Sequence, residues 1–335
     1  MDIFDNILNV LTQTRLIAKW PEMNAILHDY TARHSLDWHF PILASKAVGG
    51  SAQDALPAAA TIACMQIHLF LIDDLLDQDP RGWHHKVGVG EAANLAAAFQ
   101  AVATNMIAQS QSDSSIRLAM LERLQQMVQT MTLGQHLDTQ NHPSNEQEYW
   151  QIVRSKSSPY FGTALYLGAL VGGASIEIAN QLLDVGRLYG EMCQIHDDIL
   201  DSLAEPANPD WVLGRYPLPI LFAEIVEHPE QARFKMLRQS MSGSENSTNI
   251  NLEALTEAQD ILVRSGAISY CIHELLNRYQ ITCQKLAIIP LVQRDELSQL
   301  LEKQVKPVWS LFQSLGVKEP KQMVAKRGQF MAKHP

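Results

Sequence analysis

Leu69-Phe70-Leu71-Ile72-Asp73-Asp74-Leu75-Leu76-Asp77 and Gln194-Ile195-His196-Asp197-Asp198-Ile199-Leu200-Asp201 decide how this chain is read. Each stretch puts three carboxylates at the end of a long apolar run with helical spacing. Asp73 and Asp77 are four apart and share a helix face, and Asp74 sits beside them, three from Asp77. Like charges at that spacing repel, and removing them from water costs more. A cation relieves both. Carboxylate oxygens are hard ligands that suit Mg²⁺, which keeps several waters and bridges to phosphate oxygens. One such triplet is as well explained by a solvated helix end. Two copies with equal spacing, each ending an apolar helix, are not. If the two helices face each other, all six aspartates surround a cavity. Two or three Mg²⁺ ions there, or Mn²⁺ as a substitute, would clamp a diphosphate, neutralise it as it leaves and release an allylic cation.

Outward from these stretches the chain reads as helix after helix. Residues 55–77, 88–111, 114–137, 146–172, 176–202 and 255–288 combine apolar spacing of three and four with good helix formers. No alternating β-branched runs predict a sheet. Breaks fall at Gly49-Gly50-Ser51, Asp79-Pro80-Arg81-Gly82, His142-Pro143-Ser144-Asn145 and Glu205-Pro206-Ala207-Asn208-Pro209. The polar stretch 240–251 reads as a mobile loop, and residues 1–35 as an amphipathic N-terminal helical segment. No composition break marks a second domain, so the fold class predicted is all-α: one domain over residues 1–335, a bundle of many helices. The helices carrying the triplets are apolar almost all round and belong at its centre.

Composition narrows the function. The 335 residues are 46% hydrophobic and 19% charged, with a formal net charge of −10. Nothing in that balance offsets phosphate repulsion, so nucleic acid is excluded as a partner. Cys64, Cys193, Cys271 and Cys283 form no CxxC pair and read as free, mostly buried thiols of a reducing cytoplasm. The N-terminus lacks the basic region of a signal peptide, and no membrane span is expected. A glycosidase acid pair would not need three acids on each of two helices. A di-iron bundle would use Glu with Glu-x-x-His, which neither helix offers.

The residues resemble the trans-isoprenyl diphosphate synthases, the polyprenyl synthetase family, over roughly residues 36–320. Besides the triplets, Arg81-Gly82, Gly134-Gln135 with Asp138, Lys156-Ser157, Gly190 with Gln194, Asp210-Trp211-Val212-Leu213-Gly214-Arg215-Tyr216-Pro217-Leu218-Pro219 and Ser265-Gly266-Ala267-Ile268 match its smaller motifs. The resemblance implies the isoprenoid synthase bundle around a central cavity, with metal bound by Asp73, Asp74, Asp77, Asp197, Asp198 and Asp201. It further implies that Arg81, Lys156, Arg215 and Gln194 hold an allylic prenyl diphosphate, and that the protein is a homodimer. Pro80 stands near the first of the family's two arginines, and Arg215 replaces a lysine with its charge kept.

The acceptor half departs from the family. Where the pattern has G-G-K-R-x-R-P, the best partner here is Leu36-Asp37-Trp38-His39-Phe40-Pro41, and Gln66 stands for a histidine. A second diphosphate would meet too few cations unless Lys46, Lys86 or Lys326-Arg327 supply them. The expected reaction is therefore ionisation of one prenyl diphosphate with internal or water quenching, as in class I terpene synthases. Chain elongation with isopentenyl diphosphate, transfer to another acceptor, and a non-catalytic subunit are the alternatives. Leu69, Phe70, Tyr160 and Phe161 are expected to line the cavity, with Tyr166 and Trp211 as further aromatic candidates able to face a cation. Leu69 and His68, near the first triplet, suit a medium chain. His196 is a candidate proton acceptor, although a packed histidine explains it as well.

Overall fold

In the computed structural model, residues 3–140, 143–241 and 251–314 are described. They are helical throughout, and no strand occurs among them. The N-terminal segment forms helices Ile3–Thr12, Arg15–Lys19 and Pro21–Ala32. Residues 242–250 of the expected loop, and Lys326-Arg327, lie outside the described residues. Two of the predicted helices are interrupted. The run over 146–172 divides into Glu146–Lys156 and Ser158–Val171. Pro159 supplies no amide hydrogen, so the ladder cannot continue unbroken and Ser157 is left between the pieces. The run over 255–288 divides into Leu252–Arg264 and Ala267–Ile288, because Gly266 takes φ +85°, a conformation that costs glycine little.

The chain forms two compact units, neither contiguous in sequence. The first comprises residues 1–128, 161–186 and 289–297, and the second the remainder. In the first unit, helix Leu56–Leu76 packs most extensively against Val89–Ala108. Ala59, Ala60, Ala63, Ala92, Ala96 and Ala103 are all fully buried. Small side chains let the two backbones approach, and Ile62, Ile67, Leu95 and Phe99 fill the space around them. Burying each such large side chain contributes about 1.5–3 kcal/mol. By length and hydropathy Leu56–Leu76 would also span a bilayer, with mean hydropathy 1.5 over its most apolar window, yet 56% of that window is buried. Its apolar character is that of a core helix.

Among its described residues the second unit has two cores. One joins Tyr149, Trp150, Met192, Ile195, Leu221, Leu275 and Trp309, and the other joins Trp211, Ile220, Phe234, Leu255 and Leu262. Buried within this unit is an ionic network. Arg278 bonds Glu191 at 2.8 Å, pairs with Glu274, and lies 3.5 Å from the Trp150 ring centroid. Arg154 reaches Glu191 at 3.0 Å from the exposed side. Charges this far from water persist because each has a partner.

Candidate active site

Both triplets occupy the C-terminal ends of their helices, Leu56–Leu76 and Ile176–Ser202. The carbonyl end of a helix carries partial negative charge, so carboxylates there are disfavoured by about 0.3–1 kcal/mol each. Folding alone would not select acids at these positions. In the first unit, Asp73, Asp74 and Asp77 are all partly open to solvent. Asp77 caps the helix, its amide donating to the Asp73 carbonyl at 2.8 Å. Burial raises the Asp74 carboxyl above the usual carboxylate range and the charge of Asp79 adds to it, against the pull of His84, Arg33 and Arg81.

The second triplet is not a copy in its surroundings. Asp197 is exposed and Asp201 half-buried, whereas Asp198 is 5% exposed. Asp198 Oδ2 accepts from the Tyr149 hydroxyl at 2.6 Å and from the Leu218 amide at 2.7 Å, and Oδ1 accepts from Gln194 Nε2 at 2.8 Å. Burial pushes its carboxyl up to about 7, the three hydrogen bonds opposing the rise. Asp201 is raised by burial and held back by the side chain of Asn208. Beside the triplet, His196 Nε2 bonds the Gln304 carbonyl. A carbonyl only accepts, so Nε2 carries the proton and this nitrogen is not a base.

The expected diphosphate cations each meet a carboxylate. Arg81 donates to Asp79 through Nη2 at 2.8 Å and Nε at 3.1 Å, and its side chain is otherwise open to solvent. Lys156 Nζ lies 2.5 Å from Asp138 Oδ2. That contact needs a close crossing, which Gly134 permits: a Cβ there would come 2.5 Å from the Ser155 carbonyl carbon. Arg215 follows the single turn Asp210–Leu213, ended by Gly214 at φ +69°. Its amide donates to the Asp210 carbonyl at 3.1 Å and its guanidinium lies 3.5 Å from the Asp210 carboxylate. Burial raises the Asp210 carboxyl, Arg215 lowers it, and Asp201 and Asp138 raise it further. Gln194 accepts from the Ser157 hydroxyl at 2.6 Å and donates to Asp198.

In the first unit, the segment that sequence reading set against the family's acceptor motif holds a closed neutral and acidic network. Trp38 Nε1 donates to Gln66 Oε1 at 2.7 Å, and Gln66 Nε2 donates to Asp37 Oδ2 at 2.6 Å and Ser35 Oγ at 3.1 Å. Burial pushes the Asp37 carboxyl up to about 6. Two cations considered as substitutes are engaged elsewhere. Lys46 bonds Glu296 at 3.1 Å, and Lys86 lies 4.1 Å from the Trp83 ring.

Of the expected lining residues, Phe70 is 40% exposed and stacks on Tyr30 at 5.7 Å. Leu69 is partly exposed beside it in sequence. Phe161 packs against Phe40 at 5.4 Å, and Tyr160 is buried. Tyr166 lies under Arg123, and Trp211 is core, packed on Phe234. His68 is held through Nδ1 to the Ala96 carbonyl at 2.9 Å, and burial lowers its pKa. Sequence reading missed Tyr149, Tyr30 and Arg33. Arg33 lies 4.2 Å from the Tyr30 ring centroid and pairs with Asp29 at 2.7 Å. The Tyr30 phenol is pushed up to about 12, first by burial and then by Asp74. All four cysteines are free, as expected.

The donor type in each triplet, taken by itself, suits magnesium. Asp73, Asp74, Asp77, Asp197 and Asp201 offer hard oxygens with solvent access. Among the described residues no group of three or more His, Cys, Asp or Glu side chains forms a preformed metal cage. Mg²⁺ does not need one, being held by one or two carboxylates with water and phosphate.

A family model described as polyprenyl synthetase matches residues 39–256. A geranylgeranyl diphosphate synthase of Methanosarcina mazei is 32% identical over 182 residues, covering 52% of this chain and 55% of that protein. This chain therefore matches little more than half the length of that relative. A short chain isoprenyl diphosphate synthase of Methanothermobacter thermautotrophicus is 28% identical over 267 residues, covering 74% of this chain and 78% of that protein. Among solved structures, geranylgeranyl pyrophosphate synthase from Corynebacterium glutamicum, complexed with calcium and isoprenyl diphosphate, superposes with TM-score 0.76 at 21% identity, over 91% of this chain and 96% of that one. That likeness establishes the all-α isoprenyl synthase fold. The family match takes in both triplets, Lys156 and the Asp210–Pro219 segment, and this chain belongs to the polyprenyl synthetase family.

Proposed function

We propose that the protein is a magnesium-dependent trans-prenyltransferase that ionises an allylic prenyl diphosphate and joins the allylic carbon to an acceptor double bond. The allylic C–O bond breaks with its electron pair leaving on pyrophosphate. A C–C bond forms from the acceptor alkene, and a proton is lost to restore a double bond. The observation that carries this reading is the placing of both aspartate triplets at helix C-termini, where the helix dipole disfavours acids and a bound cation would offset their charge. The relatives' names, geranylgeranyl and short chain isoprenyl diphosphate synthase, support the same reaction class. Two or three bound Mg²⁺ ions, or Mn²⁺, would supply positive charge against the departing diphosphate. Asp73, Asp74, Asp77, Asp197 and Asp201 would hold them, Lys156, Arg215 and Arg81 would grip phosphate oxygens, and Phe70, Leu69, Tyr160 and Phe161 would line the prenyl channel. We extend the reading to a homodimer in a reducing cytoplasm.

One observation favours a second reading. The closed Ser35–Asp37–Trp38–Gln66 network offers no cation to an isopentenyl diphosphate. Ionisation would then be followed by quenching from the substrate's own double bonds or from water.

The deciding experiment is mass spectrometry of products from a series of allylic diphosphates with Mg²⁺, with and without isopentenyl diphosphate. Longer diphosphates formed only when isopentenyl diphosphate is present support prenyl transfer. Hydrocarbon or alcohol formed equally in its absence supports the second reading. No pyrophosphate under either condition sinks both.

A further inference from the structure

We propose that Asp198 is a positioning residue that fixes the carriers of Lys156 and Arg215, and is not a metal ligand. The proposal rests on the prenyl diphosphate reading above and gives another role to one of the six aspartates that the family resemblance assigns to metal. A carboxylate has about four lone-pair sites. Three donors, the Tyr149 hydroxyl, the Leu218 amide and the Gln194 amide, already occupy both oxygens of Asp198. Oδ2 takes two of them, and the side chain is shut from solvent. Its neighbours differ: Asp197 is exposed and Asp201 half-open, so the triplet has one inward and two accessible acids.

The origin of the donors gives the buried acid its role. Tyr149 belongs to helix Glu146–Lys156, which ends in Lys156. Leu218 is the first residue of helix Leu218–Ile225, at the end of the segment that carries Arg215. Gln194 also accepts from Ser157, the residue after Lys156. One carboxylate thus ties the helix of Lys156 and the segment of Arg215 to the helix that bears Asp197. A metal bound at Asp198 would have to displace this anchor.

The test uses the full chain and compares Asp198→Asn, Asp198→Ala, Tyr149→Phe and Asp197→Asn. Asparagine keeps an acceptor oxygen for Tyr149 and Leu218, and alanine keeps none. Mn²⁺ binding is read by electron paramagnetic resonance with inorganic pyrophosphate present, KM with an allylic diphosphate, and backbone order by hydrogen exchange over residues 209–218. Asp198→Asn should hold Mn²⁺ within about threefold of the parent and largely rescue KM, whereas Asp198→Ala should raise KM about tenfold or more with Mn²⁺ binding kept. Exchange over 209–218 should quicken in Asp198→Ala and Tyr149→Phe but not in Asp197→Asn. Loss of Mn²⁺ binding in Asp198→Asn equal to that in Asp197→Asn overturns the assignment. So does unchanged exchange in Tyr149→Phe, which decides the matter if Asp198→Ala fails to fold. A parent that binds neither Mn²⁺ nor pyrophosphate refutes the prenyl reading, while the exchange measurement still judges the anchor.

Discussion

The indole of Trp38 donates to Gln66 Oε1 at 2.7 Å and thereby turns the Gln66 amide nitrogen toward Asp37, 2.6 Å away. The carboxyl of Asp37 is raised from 3.8 to about 6 by burial, so between those values the folded chain holds a proton that the unfolded chain releases. Stability therefore falls as pH rises through that window, and the penalty is complete above it. Asp37→Asn removes the ionisation while keeping an acceptor for Gln66. Near pH 7.5 the variant should be more stable than the parent by ~1–2 kcal/mol, and the gap should close as pH falls toward 4. Urea unfolding at both ends of the range checks it, and a gap that widens in acid refutes it.

Arg278 is the centre of the buried network in the second unit. Arg278→Met should cost ~3–5 kcal/mol, because Glu191 and Glu274 lose their inner partner and the Trp150 ring loses the cation over its face. Thermal unfolding measures this directly. Replacing Glu191 and Arg278 together by Leu and Met should recover much of the loss, since a matched apolar pair removes both desolvation costs.

Gly134→Ala places a methyl group 2.5 Å from the Ser155 carbonyl carbon and 2.6 Å from the Lys156 amide. Backbone is on the receiving side, so the helices must part. A loss of ~1–3 kcal/mol is expected, together with a raised KM for the allylic diphosphate as Lys156 moves. A KM equal to the parent's would mean that Lys156 is placed by something other than this crossing.

Asp73→Ala and Asp77→Ala should each lower kcat/KM by ~10²–10³-fold, the scale of losing one pre-placed electrostatic contact at a leaving group. Folding should be unharmed, because helix C-termini gain when acids are removed. Initial rates across a Mg²⁺ titration, with melting temperatures alongside, test both halves. A variant that loses activity only by losing stability would remove the metal role.

Much of this was legible in the sequence. Apolar runs with helical spacing located the helices, and the triplets with Lys156, Arg215 and Arg81 named the residues of the candidate site. The break after Lys156 was signalled by Pro159, but the apolar pattern runs through it unchanged. The two compact units could not be read from composition, since each is assembled from separate stretches. Tyr149 was invisible for a related reason. Its partner, Asp198, is 49 residues away, and no local pattern marks a phenol that will bond a distant acid. The acceptor departure was visible at Asp37 and Gln66, but not that these two residues bond one another across 29 positions. Phe70 and Trp211 look alike as apolar aromatics in sequence, and only packing separates the half-exposed ring from the core one.

Lys156, Arg215 and Arg81 each rest against a carboxylate, Asp138, Asp210 and Asp79 respectively. On the proposed reading, capture of an anion by these side chains would be a swap of partners. Its affinity would be the difference between two ion pairs, each screened by salt in the same direction. Pyrophosphate binding should accordingly weaken less with ionic strength than for a cluster of bare cations. On the proposed reading the acids would also compete with stray anions at these cations, and a multiply charged ligand would be favoured over a singly charged one.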